Sequence, residues 1–270
     1  MISIPEKNFT NDSIAELLCL EGKLALITGA SGSIGQAISR QLAKAGAEII
    51  MHSRHLSEEL YDCSKQINLE GGKSQVLDGD FLNLNTLSKI MKSIKEDIGQ
   101  LNILINNAAD QSIKNFFDFT HKDVFHMTEV NLTAPIMLTK NFVKYHKPSK
   151  ESPGAVVNIG SIEAFRGSPG HAHYSSTKAG LVQFTRASAE ELAKNFTRIN
   201  SVCPGLINRP GLKQQWPKGV KNWTQKVPLQ TVGDPEDVAN AVLFLCSRSA
   251  KFITGASITV DGGMDCIAGW

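Results

Sequence analysis

Several features that define classes of protein are scarce or missing in this 270-residue sequence. Its five cysteines, at positions 19, 63, 203, 246 and 266, form no Cys-x-x-Cys pattern, so free thiols in a reducing cytoplasm are expected. No apolar run reaches the roughly 20 residues of a membrane-spanning helix. The N-terminus has acidic and polar residues where a signal peptide has a basic start and an apolar middle. These absences predict a cytoplasmic protein without a membrane partner.

An excess of charge of one sign is missing as well. The chain has 28 Lys and Arg residues against 26 Asp and Glu residues, and the net charge of +2 is too small to imply a nucleic-acid partner. The one basic stretch, residues 213–226, is diluted by Trp, Pro and Gly, which indicates a loop surface. With 41% hydrophobic and 20% charged residues, the composition is that of an ordinary soluble globule.

Short apolar runs alternate along the chain with longer stretches of helical spacing. The runs predict strands at residues 24–28, 48–52, 75–77, 103–106, 155–159, 199–203 and 257–260. The longer stretches predict helices at residues 34–45, 84–98, 125–143, 172–193 and 235–245. Apolar strands alternating with helices are typical of a parallel sheet covered on both faces. Right-handed crossovers then give a doubly wound, Rossmann-like α/β fold with three α/β/α layers and about seven strands.

The length favours a single domain. Residues 22–270 are expected to form one Rossmann-like catalytic domain, and residues 1–21 an N-terminal arm that precedes the first strand. The arm is either a flexible segment or an oligomer contact.

A glycine-rich turn follows the first predicted strand. Residues 28–35 read Thr-Gly-Ala-Ser-Gly-Ser-Ile-Gly, and a helix comes directly after them. Glycines in this position allow a tight turn and a close approach of the backbone to a pyrophosphate at the helix N-terminus. The turn therefore predicts a dinucleotide site; the alternative is a glycine turn without a ligand.

The end of the second strand predicts which dinucleotide is bound. A carboxylate there selects NAD through the ribose 2′-OH, whereas an Arg accommodates the 2′-phosphate of NADP. The sequence has Ser53 and Arg54, with no carboxylate before Glu58. NADP(H) is therefore favoured over NAD(H), because a guanidinium binds phosphate in a bidentate way. The alternative is that Arg54 points into solvent.

Tyr174 and Lys178 are four residues apart on a predicted helix and so share one face. A free phenol titrates near pH ~10, and a nearby ammonium favours its ionised form. The pair is thus a candidate general acid/base.

With these features in view, the chain resembles the short-chain dehydrogenases/reductases, in their compact single-domain branch, from about residue 22 to residue 263. Further stretches carry the resemblance: Asp80, Asn106-Asn-Ala-Ala109, Asn131, Ser161, Pro204-Gly205, Ile253-Thr-Gly255 and Val260-Asp-Gly-Gly263. Two positions depart from the compact pattern, since Ser33 replaces the middle glycine of the turn and Ala109 replaces a glycine. Gly29, Gly32 and Gly35 instead match the spacing of the extended branch, whose members are often sugar-nucleotide enzymes.

The resemblance implies reversible hydride transfer between a nicotinamide and a small-molecule carbonyl or secondary alcohol. It implies a catalytic tetrad in which Tyr174 transfers the proton, Lys178 favours the phenolate and binds the nicotinamide ribose, Ser161 polarises the substrate oxygen and Asn131 anchors a relay water. It assigns the cofactor to Gly29, Ser31, Ser33, Ile34, Gly35, Ser53, Arg54, Asp80, Phe81, Asn107, Ala108, Tyr174, Lys178, Pro204, Gly205 and Ile207.

The resemblance also marks out a substrate region. Glu163, Arg166 and His171 lie between the candidate catalytic Ser and Tyr, and the first of these could accept bonds from a polyhydroxylated substrate. The alternative interpretation is that these three residues lie on a surface loop and that their charges are solvated. The sequence implies no metal site here. Residues 206–230, which include Trp216 and Trp223, are expected to form a substrate lid, although both Trp side chains could equally be packing residues. A sugar or polyol, a 3-oxoacyl thioester and a cyclic ketone remain the possible substrates.

Three further expectations concern the class and assembly of the protein. Two functions are alternatives to an oxidoreductase of the compact branch. One is an NADP(H)-binding redox sensor that regulates a partner, and the other is a sugar-nucleotide-modifying enzyme of the extended branch. The family resemblance also implies a homotetramer or homodimer. Met137, Leu138, Phe142, Leu181 and Phe184 could serve that interface or the core.

Overall fold

A single parallel sheet organises the chain, as the computed structural model of residues 12–267 describes it. Its strands are β1 (Leu24–Thr28), β2 (Glu48–Ser53), β3 (Lys73–Asp78), β4 (Ile103–Asn106), β5 (Gly154–Ile159), β6 (Thr197–Pro204) and β7 (Ser257–Val260). All neighbouring strands pair in parallel in the order β3-β2-β1-β4-β5-β6-β7. The strand order reverses between β1 and β4, and in open α/β sheets ligands bind outside the carboxyl ends of the strands at such a point.

Helices connect and cover the strands. They are α1 (Ile14–Leu18), α2 (Ser33–Lys44), α3 (Glu58–Leu69), α4 (Leu84–Ser93), α5 (His121–Thr128), α6 (Ala134–His146), α7 (Ala172–Ala193), α8 (Leu212–Gln215), α9 (Pro217–Lys226) and α10 (Pro235–Cys246). There are two π-helical turns: Ile94–Ile98 continues α4 to its end, and Glu129–Thr133 joins α5 to α6. Single 3₁₀ turns occur at Ile162–Ala164, Arg248–Ala250 and Met264–Cys266. No helix within residues 12–267 is both long and apolar enough to cross a membrane.

The two faces of the sheet each bury an apolar core. All residues of β1 and β5 are buried, which agrees with strands that are covered on both sides. One core joins the sheet to α2, α3 and α10, and the other joins it to α4, α6 and α7. The fold is therefore the three-layer, Rossmann-like α/β arrangement that the alternating pattern predicts.

The seven predicted strands are present, and β1, β4 and β7 have the predicted bounds. Helix α7 also has the predicted bounds. Helix α3 was not predicted. It begins after Ser57, whose side chain accepts a hydrogen bond from the backbone N–H of Leu60, and few of its residues are apolar. Its apolar periodicity is short, because the buried face consists of Leu60, Cys63, Ser64 and Ile67 and so includes a serine.

The expectation of a loop at residues 213–226 is wrong. This basic stretch forms most of α8 and α9, and Pro217 occupies the first position of α9, where proline favours a helix start. The predicted single helices over 84–98 and 125–143 are also incorrect in detail, since each contains a π-helical turn.

Part of the predicted N-terminal arm lies outside the described residues, namely residues 1–11. Its remainder packs on the domain. Asp12 forms an ion pair of 2.8 Å with Arg248, and the buried Leu20 belongs to the core. The backbone N–H of Leu20 also donates to the carbonyl of Ala45 at 2.7 Å. Residues 12–21 are thus anchored to the domain.

The five apolar residues considered for an interface serve the core. Leu138, Phe142 and Leu181 are fully buried within the chain, and Met137 and Phe184 are partly buried against the core beside α4 and α6. Met137 and Phe184 keep part of their surface exposed, so an interface role for these two residues stays a prediction.

A buried histidine near the end of α6 predicts a loss of stability in acid. The Nδ1 atom of His146 accepts a hydrogen bond of 2.9 Å from the backbone N–H of Leu101. Burial, in the first place, lowers the pKa of His146 from 6.5 to about 4. As the pH falls, the unfolded chain binds this proton before the folded chain does. The free energy of unfolding therefore decreases as the pH drops from 6.5 to about 4.

We expect His146→Gln, which keeps an acceptor but does not titrate, to lose about 1–2 kcal/mol less stability than the wild type on acidification. Urea unfolding of both chains at about pH 7 and about pH 4.5 measures this difference. His52, whose pKa burial also lowers to about 4, is the same in both chains and cancels. Equal losses in the two chains would contradict the prediction.

Candidate active site

The glycine-rich turn after β1 is in close contact with the loop that follows β4. Gly29 has a φ of +63°, and a Cβ on this residue would lie 2.7 Å from the Cα of Ala108. A Cβ on Gly35 would collide with the carbonyl of Gly29. Both positions therefore require glycine, one for conformation and contact, the other for contact alone.

Hydrogen bonds hold the same contact together. The Oγ1 atom of Thr28 accepts bonds from the backbone N–H groups of Asn107 and Ala108 at 2.9 and 3.0 Å. In return, the Nδ2 atom of Asn107 donates to the carbonyls of Thr28 and Gly29 at 2.9 and 3.0 Å. The side chains of Thr28 and Asn107 thus fix the turn against the end of β4.

The turn leads into the N-terminus of α2, where the backbone N–H groups of the first turn have no helical partner. Gly32 is the N-cap and supplies no side-chain hydrogen bond. The N–H groups of Ser33, Ile34 and Gly35 are therefore suited to an anion such as a pyrophosphate. Ser33 is the first helical residue and needs no positive φ, which explains why a side chain is tolerated at this departure from the compact pattern.

Residues at the carboxyl ends of β2 and β3 border the expected adenosine end. The hydroxyls of Ser31 and Ser53 are 3.0 Å apart, and Arg54 is exposed beside them. Phe81 stacks on His52 with ring centroids 4.3 Å apart. The open backbone cradle and the cation next to two hydroxyls fit a phosphorylated dinucleotide.

Asp80, beside this ring pair, closes its own turn by accepting a hydrogen bond of 3.0 Å from the N–H of Leu82. On the other side of the cradle, β6 ends at Pro204, and the N–H of Gly205 donates to the carbonyl of Val260 at 2.9 Å. Ile207 pairs with Gly233 in an isolated bridge. These contacts place the remaining candidate cofactor residues at the carboxyl edge of the sheet.

Tyr174 and Lys178 lie on one face of α7, and both side chains are almost fully buried. The Nζ atom of Lys178 is 5.7 Å from the centroid of the Tyr174 ring and donates to the carbonyl of Ile159 at 2.7 Å. The sequence spacing therefore brings the two side chains together as expected. The ammonium is held between the ring and the carboxyl end of β5.

Burial dominates the protonation of this pair. It raises the pKa of Tyr174; the nearby Glu163 charge acts in the same direction, whereas a hydrogen bond with Ser161 opposes both. Burial also lowers the pKa of Lys178 from 10.5 to about 8. The sequence predicts a lowered phenol pKa, and the shift in the structure has the opposite sign. The reason is that desolvation penalises the ionised form of both groups.

Asn131 lies in the π-helical turn between α5 and α6 and is fully buried. Its Oδ1 atom accepts from the N–H of Asp110 at 2.8 Å, and its Nδ2 atom donates to the Asp110 carbonyl at 2.9 Å and to Thr177 Oγ1 at 3.3 Å. Pro135 has no N–H to donate to the Asn131 carbonyl, which helps to explain the break in α-helical register. Asn131 thus joins three segments of the site, and its water-relay role stays a prediction.

Ser161 follows β5 and caps the short 3₁₀ turn Ile162–Ala164. Its Oγ atom accepts a hydrogen bond of 3.1 Å from the N–H of Glu163, which leaves its own O–H free to donate. The side chain is buried, and its nearness to Tyr174 opposes the rise that burial causes in the pKa of the phenol. Ser161 and Tyr174 are therefore neighbours, as the predicted tetrad requires.

The structure brings together two of the four candidate substrate residues. The Nδ1 atom of His171 lies 3.0 Å from Glu163 Oε1, and these side chains are only 19% and 18% exposed. A solvated loop is therefore the wrong description of this pair. Arg166 instead donates to the carbonyl of Met264, and the half-exposed Trp216 lies against Gly219 in the lid.

Trp223 is a packing residue of the segment 206–230, which the sequence predicts to be a substrate lid. Its Nε1 atom donates to the carbonyl of Thr231 at 3.1 Å, and its ring packs with Ile162, Val227 and Met264. A Cβ on Gly205 would lie 2.8 Å from the edge of the Trp223 ring. This segment is thus anchored next to the end of β6, and its role as a substrate lid stays a prediction.

Sequence reasoning missed four residues that hold the site. They are Thr28, Asp110, Ser175 and Thr177. Ser175 had a detectable signal, because it is four residues after His171 at the start of a predicted helix and so lies on the same face. The other three act through contacts with segments that are remote in the sequence, and spacing gives no signal for them.

A doubly wound sheet with a glycine cradle at its switch point, next to a buried Tyr-Lys pair, defines a nicotinamide-dependent oxidoreductase. A family model described as enoyl-(acyl carrier protein) reductase matches residues 29–265. The chain belongs to the short-chain dehydrogenase/reductase family. It is an oxidoreductase that acts on hydroxyl or keto groups with NAD(P).

Relatives of known name match over nearly their whole length. The 3-oxoacyl-(acyl-carrier-protein) reductase FabG of Aquifex aeolicus is 35% identical, with 91% of this chain and 98% of the relative covered. General stress protein 39 of Bacillus subtilis is 31% identical, with 90% and 85% covered. The matched relatives therefore have about the same extent as this chain and differ in their names.

Solved structures are similarly close. A 3-oxoacyl (acyl-carrier-protein) reductase from Agrobacterium tumefaciens with NADP bound has a TM-score of 0.86 at 28% identity, with 94% of this chain and 98% of that chain covered. A protein from the same organism, provisionally assigned as a 2-deoxy-D-gluconate 3-dehydrogenase and also holding NADP, has a TM-score of 0.84 at 32% identity, with 93% and 99% covered.

The buried ammonium of Lys178 predicts a stability effect that does not depend on activity. Its pKa in the folded chain, about 8, lies below the value of 10.5 in the unfolded chain. Between these two values the unfolded chain binds more protons than the folded chain. The loss of stability caused by burying the ammonium is therefore fully present below a pH of about 8 and disappears as the pH rises to 10.5.

We expect Lys178→Met to raise the free energy of unfolding by about 1–2 kcal/mol near neutral pH, because it removes a desolvated charge but leaves the Ile159 carbonyl without its donor. The gain should shrink toward pH ~10. Urea unfolding across this range measures it, and the exposed Lys140→Met is the matched control. A gain that stays constant with pH would contradict the cause.

Proposed function

We propose that this protein is an NADP(H)-dependent reductase of small-molecule carbonyl compounds, with Tyr174 as the general acid/base. The observation that carries the proposal is the buried phenol of Tyr174, whose ring centroid lies 5.7 Å from the ammonium of Lys178 and whose pKa is affected by the neighbouring Ser161. Because burial raises the pKa of Tyr174, the phenol keeps its proton at neutral pH. It is thus ready to act as the acid that a reduction needs.

Each member of the tetrad then has a distinct task. Tyr174 gives its proton to the oxygen of the substrate carbonyl, and Ser161 donates a hydrogen bond to the same oxygen as negative charge develops on it. Lys178 stabilises the phenolate that remains, since its cation faces the ring. Asn131 is a positioning residue, because it holds the loop at Asp110 and contacts Thr177 on α7.

The cofactor, when bound, supplies the hydride to the carbonyl carbon. The N–H groups of Ser33, Ile34 and Gly35 would hold its pyrophosphate at the start of α2. Lys178 is the candidate donor to the nicotinamide ribose, in keeping with the family resemblance. Gly29 packs closely against Ala108 and has no side chain that could cover these N–H groups.

The preference for NADP(H) rests on the end of β2. Ser31 and Ser53 provide paired hydroxyls, and the adjacent Arg54 provides an exposed cation where a carboxylate would select NAD. Both of the similar solved structures named above contain NADP, which supports the same choice.

The assembly and location of the protein belong to the same proposal. Family members commonly form a homotetramer or homodimer, and we extend that expectation to this chain. The thiols of Cys63, Cys203 and Cys246 are buried and unpaired, as is usual for proteins of a reducing cytoplasm.

Removal of the phenolic hydroxyl tests the acid/base role. We expect Tyr174→Phe to lower kcat for carbonyl reduction by about 10³-fold or more, because it removes the hydroxyl that gives its proton to the carbonyl oxygen. Affinity for NADPH should stay within about threefold of the wild type, since the cradle is formed by other residues. Steady-state kinetics and NADPH fluorescence titration measure the two quantities. A variant that keeps most of its turnover would show that Tyr174 is not the acid.

Removal of the guanidinium at position 54 tests the cofactor choice. We expect Arg54→Ala to weaken NADPH binding about tenfold and to leave NADH binding nearly unchanged, because only NADPH carries the 2′-phosphate. Fluorescence titration with both dinucleotides measures this, with Arg186→Ala on the exposed side of α7 as the matched control. Tighter binding of NADH than of NADPH by the wild type would overturn the NADP(H) assignment.

A further inference from the structure

Three polar side chains form a cluster beside Tyr174 that the proposed proton transfer does not use. The Glu163 carboxylate lies 3.0 and 3.1 Å from the Nδ1 atom of His171 through its two oxygens. It also accepts a hydrogen bond of 3.0 Å from the hydroxyl of Ser175. The cluster therefore connects the 3₁₀ turn after Ser161 to the first turn of α7.

The second nitrogen of His171 has no protein partner in the described part of the chain. Its Nε2 atom is buried and makes no hydrogen bond within residues 12–267. The ring lies next to the candidate acid, with the centroids of His171 and Tyr174 5.4 Å apart and the planes tilted by 53°. Buried polar atoms in proteins are nearly always hydrogen-bonded, so an unused one beside a reactive phenol points to a ligand atom.

The carboxylate determines what kind of ligand atom fits. Because Nδ1 faces Glu163, it carries a proton, and the Nε2 atom of a neutral imidazole is then an acceptor. A doubly protonated ring would make Nε2 a donor. A hydroxyl group can pair with either form, since it both donates and accepts. A keto or thioester oxygen only accepts and so fits the protonated ring alone.

We propose that His171, oriented by Glu163 and Ser175, selects substrates that carry a hydroxyl group on the carbon next to the reacting carbonyl. The substrate class is thus the 2-hydroxy ketones, and the products are vicinal diols. This inference rests on the proposed reductase function. In the reaction, the carbonyl carbon gains the hydride, the carbonyl oxygen gains the proton of Tyr174, and the neighbouring hydroxyl is unchanged.

The remaining candidate substrate residues do not compete for this role. Arg166 donates its guanidinium to the carbonyl of Met264, which ties it to the C-terminal segment. Trp216 lies on the lid and is 53% exposed. The Glu163 carboxylate already binds His171 and Ser175, so the Nε2 atom of His171 is the polar atom of this cluster that has no partner within residues 12–267.

A matched pair of ketones tests the proposal: racemic 2-hydroxycyclohexanone and cyclohexanone, which differ by one hydroxyl group. With NADPH, we expect the wild type to show a kcat/KM about tenfold higher for the hydroxylated ketone, the effect of one well-placed hydrogen bond. In His171→Phe this ratio should fall to about one. The ratio is the readout, because the ring of His171 also lies beside Tyr174 and its replacement changes the surroundings of the acid for both ketones alike.

Two further variants separate recognition from structural support. Glu163→Gln keeps the shape but removes the charge that fixes the imidazole proton, so the ratio should fall part of the way, with the loss in KM more than in kcat. His121→Phe, an exposed histidine on α5, is the control for the same change elsewhere and should leave the ratio unaltered. Thermal unfolding of each variant reports whether the fold is retained.

The outcomes distinguish this inference from the function on which it rests. Equal ratios in the wild type and in His171→Phe, or a parallel loss for both ketones, overturn the role of His171 and leave the reductase function standing. A preference for an acetoacetyl thioester over both ketones also overturns it. Failure of the wild type to oxidise NADPH with any carbonyl compound overturns the reductase function, and this inference with it.

Discussion

The close packing of the β1–α2 turn against the loop after β4 is the constraint on which the rest of the site depends. Gly29 and Ala108 are so near each other that any side chain on Gly29 would force them apart. Thr28 and Asn107 hold the two segments with reciprocal hydrogen bonds. This contact lies where the strand order reverses, so it fixes the N-terminus of α2 above the carboxyl ends of the strands.

Hydrogen bonds between buried polar side chains connect the end of β4 to α7 through β5. The amide of Asn106 donates to Asn158 at 2.8 Å, and Asn158 donates to Thr185 on α7 at 2.8 Å. Asn131 adds a connection from the π-helical turn to Thr177 on the same helix. Polar networks of this kind define one arrangement of a core, because any other arrangement leaves buried groups without partners. The position of Tyr174 on α7 is therefore linked to the glycine turn through the interior.

Fold and chemistry alone do not decide what this oxidoreductase acts on. Similar proteins include a 3-oxoacyl-(acyl-carrier-protein) reductase, a stress protein and a provisionally assigned gluconate dehydrogenase, all on the same framework. Function of this kind depends on the site and not on the fold that carries it. In this chain the residues that we expect to decide the substrate lie between Ser161 and Tyr174. There, the mostly buried side chains of Glu163 and His171 form a pair.

The sequence by itself determined the order of strands and helices and the spacing of the candidate residues. β1, β4, β7 and α7 have the bounds that their residue patterns predict, because apolar periodicity is a property of neighbouring positions. Patterns were weaker where the surface is polar. Helix α3 was therefore missed, and helices α8 and α9 were taken for a loop. The break at Glu129–Thr133 depends on local backbone pairing that helical spacing does not reveal.

Only the tertiary structure decided the electrostatics of the site and the pairing of its side chains. Spacing alone predicts that Lys178 lowers the pKa of Tyr174, but burial raises it, since desolvation depends on every segment packed around the ring. In the same way, the partners of Asn131 and the contact between Glu163 and His171 join residues from separate turns and helices. The pKa of Tyr174 and these side-chain contacts depend on distances between segments that are far apart in the sequence. The spacing of residues along the chain does not reveal such distances.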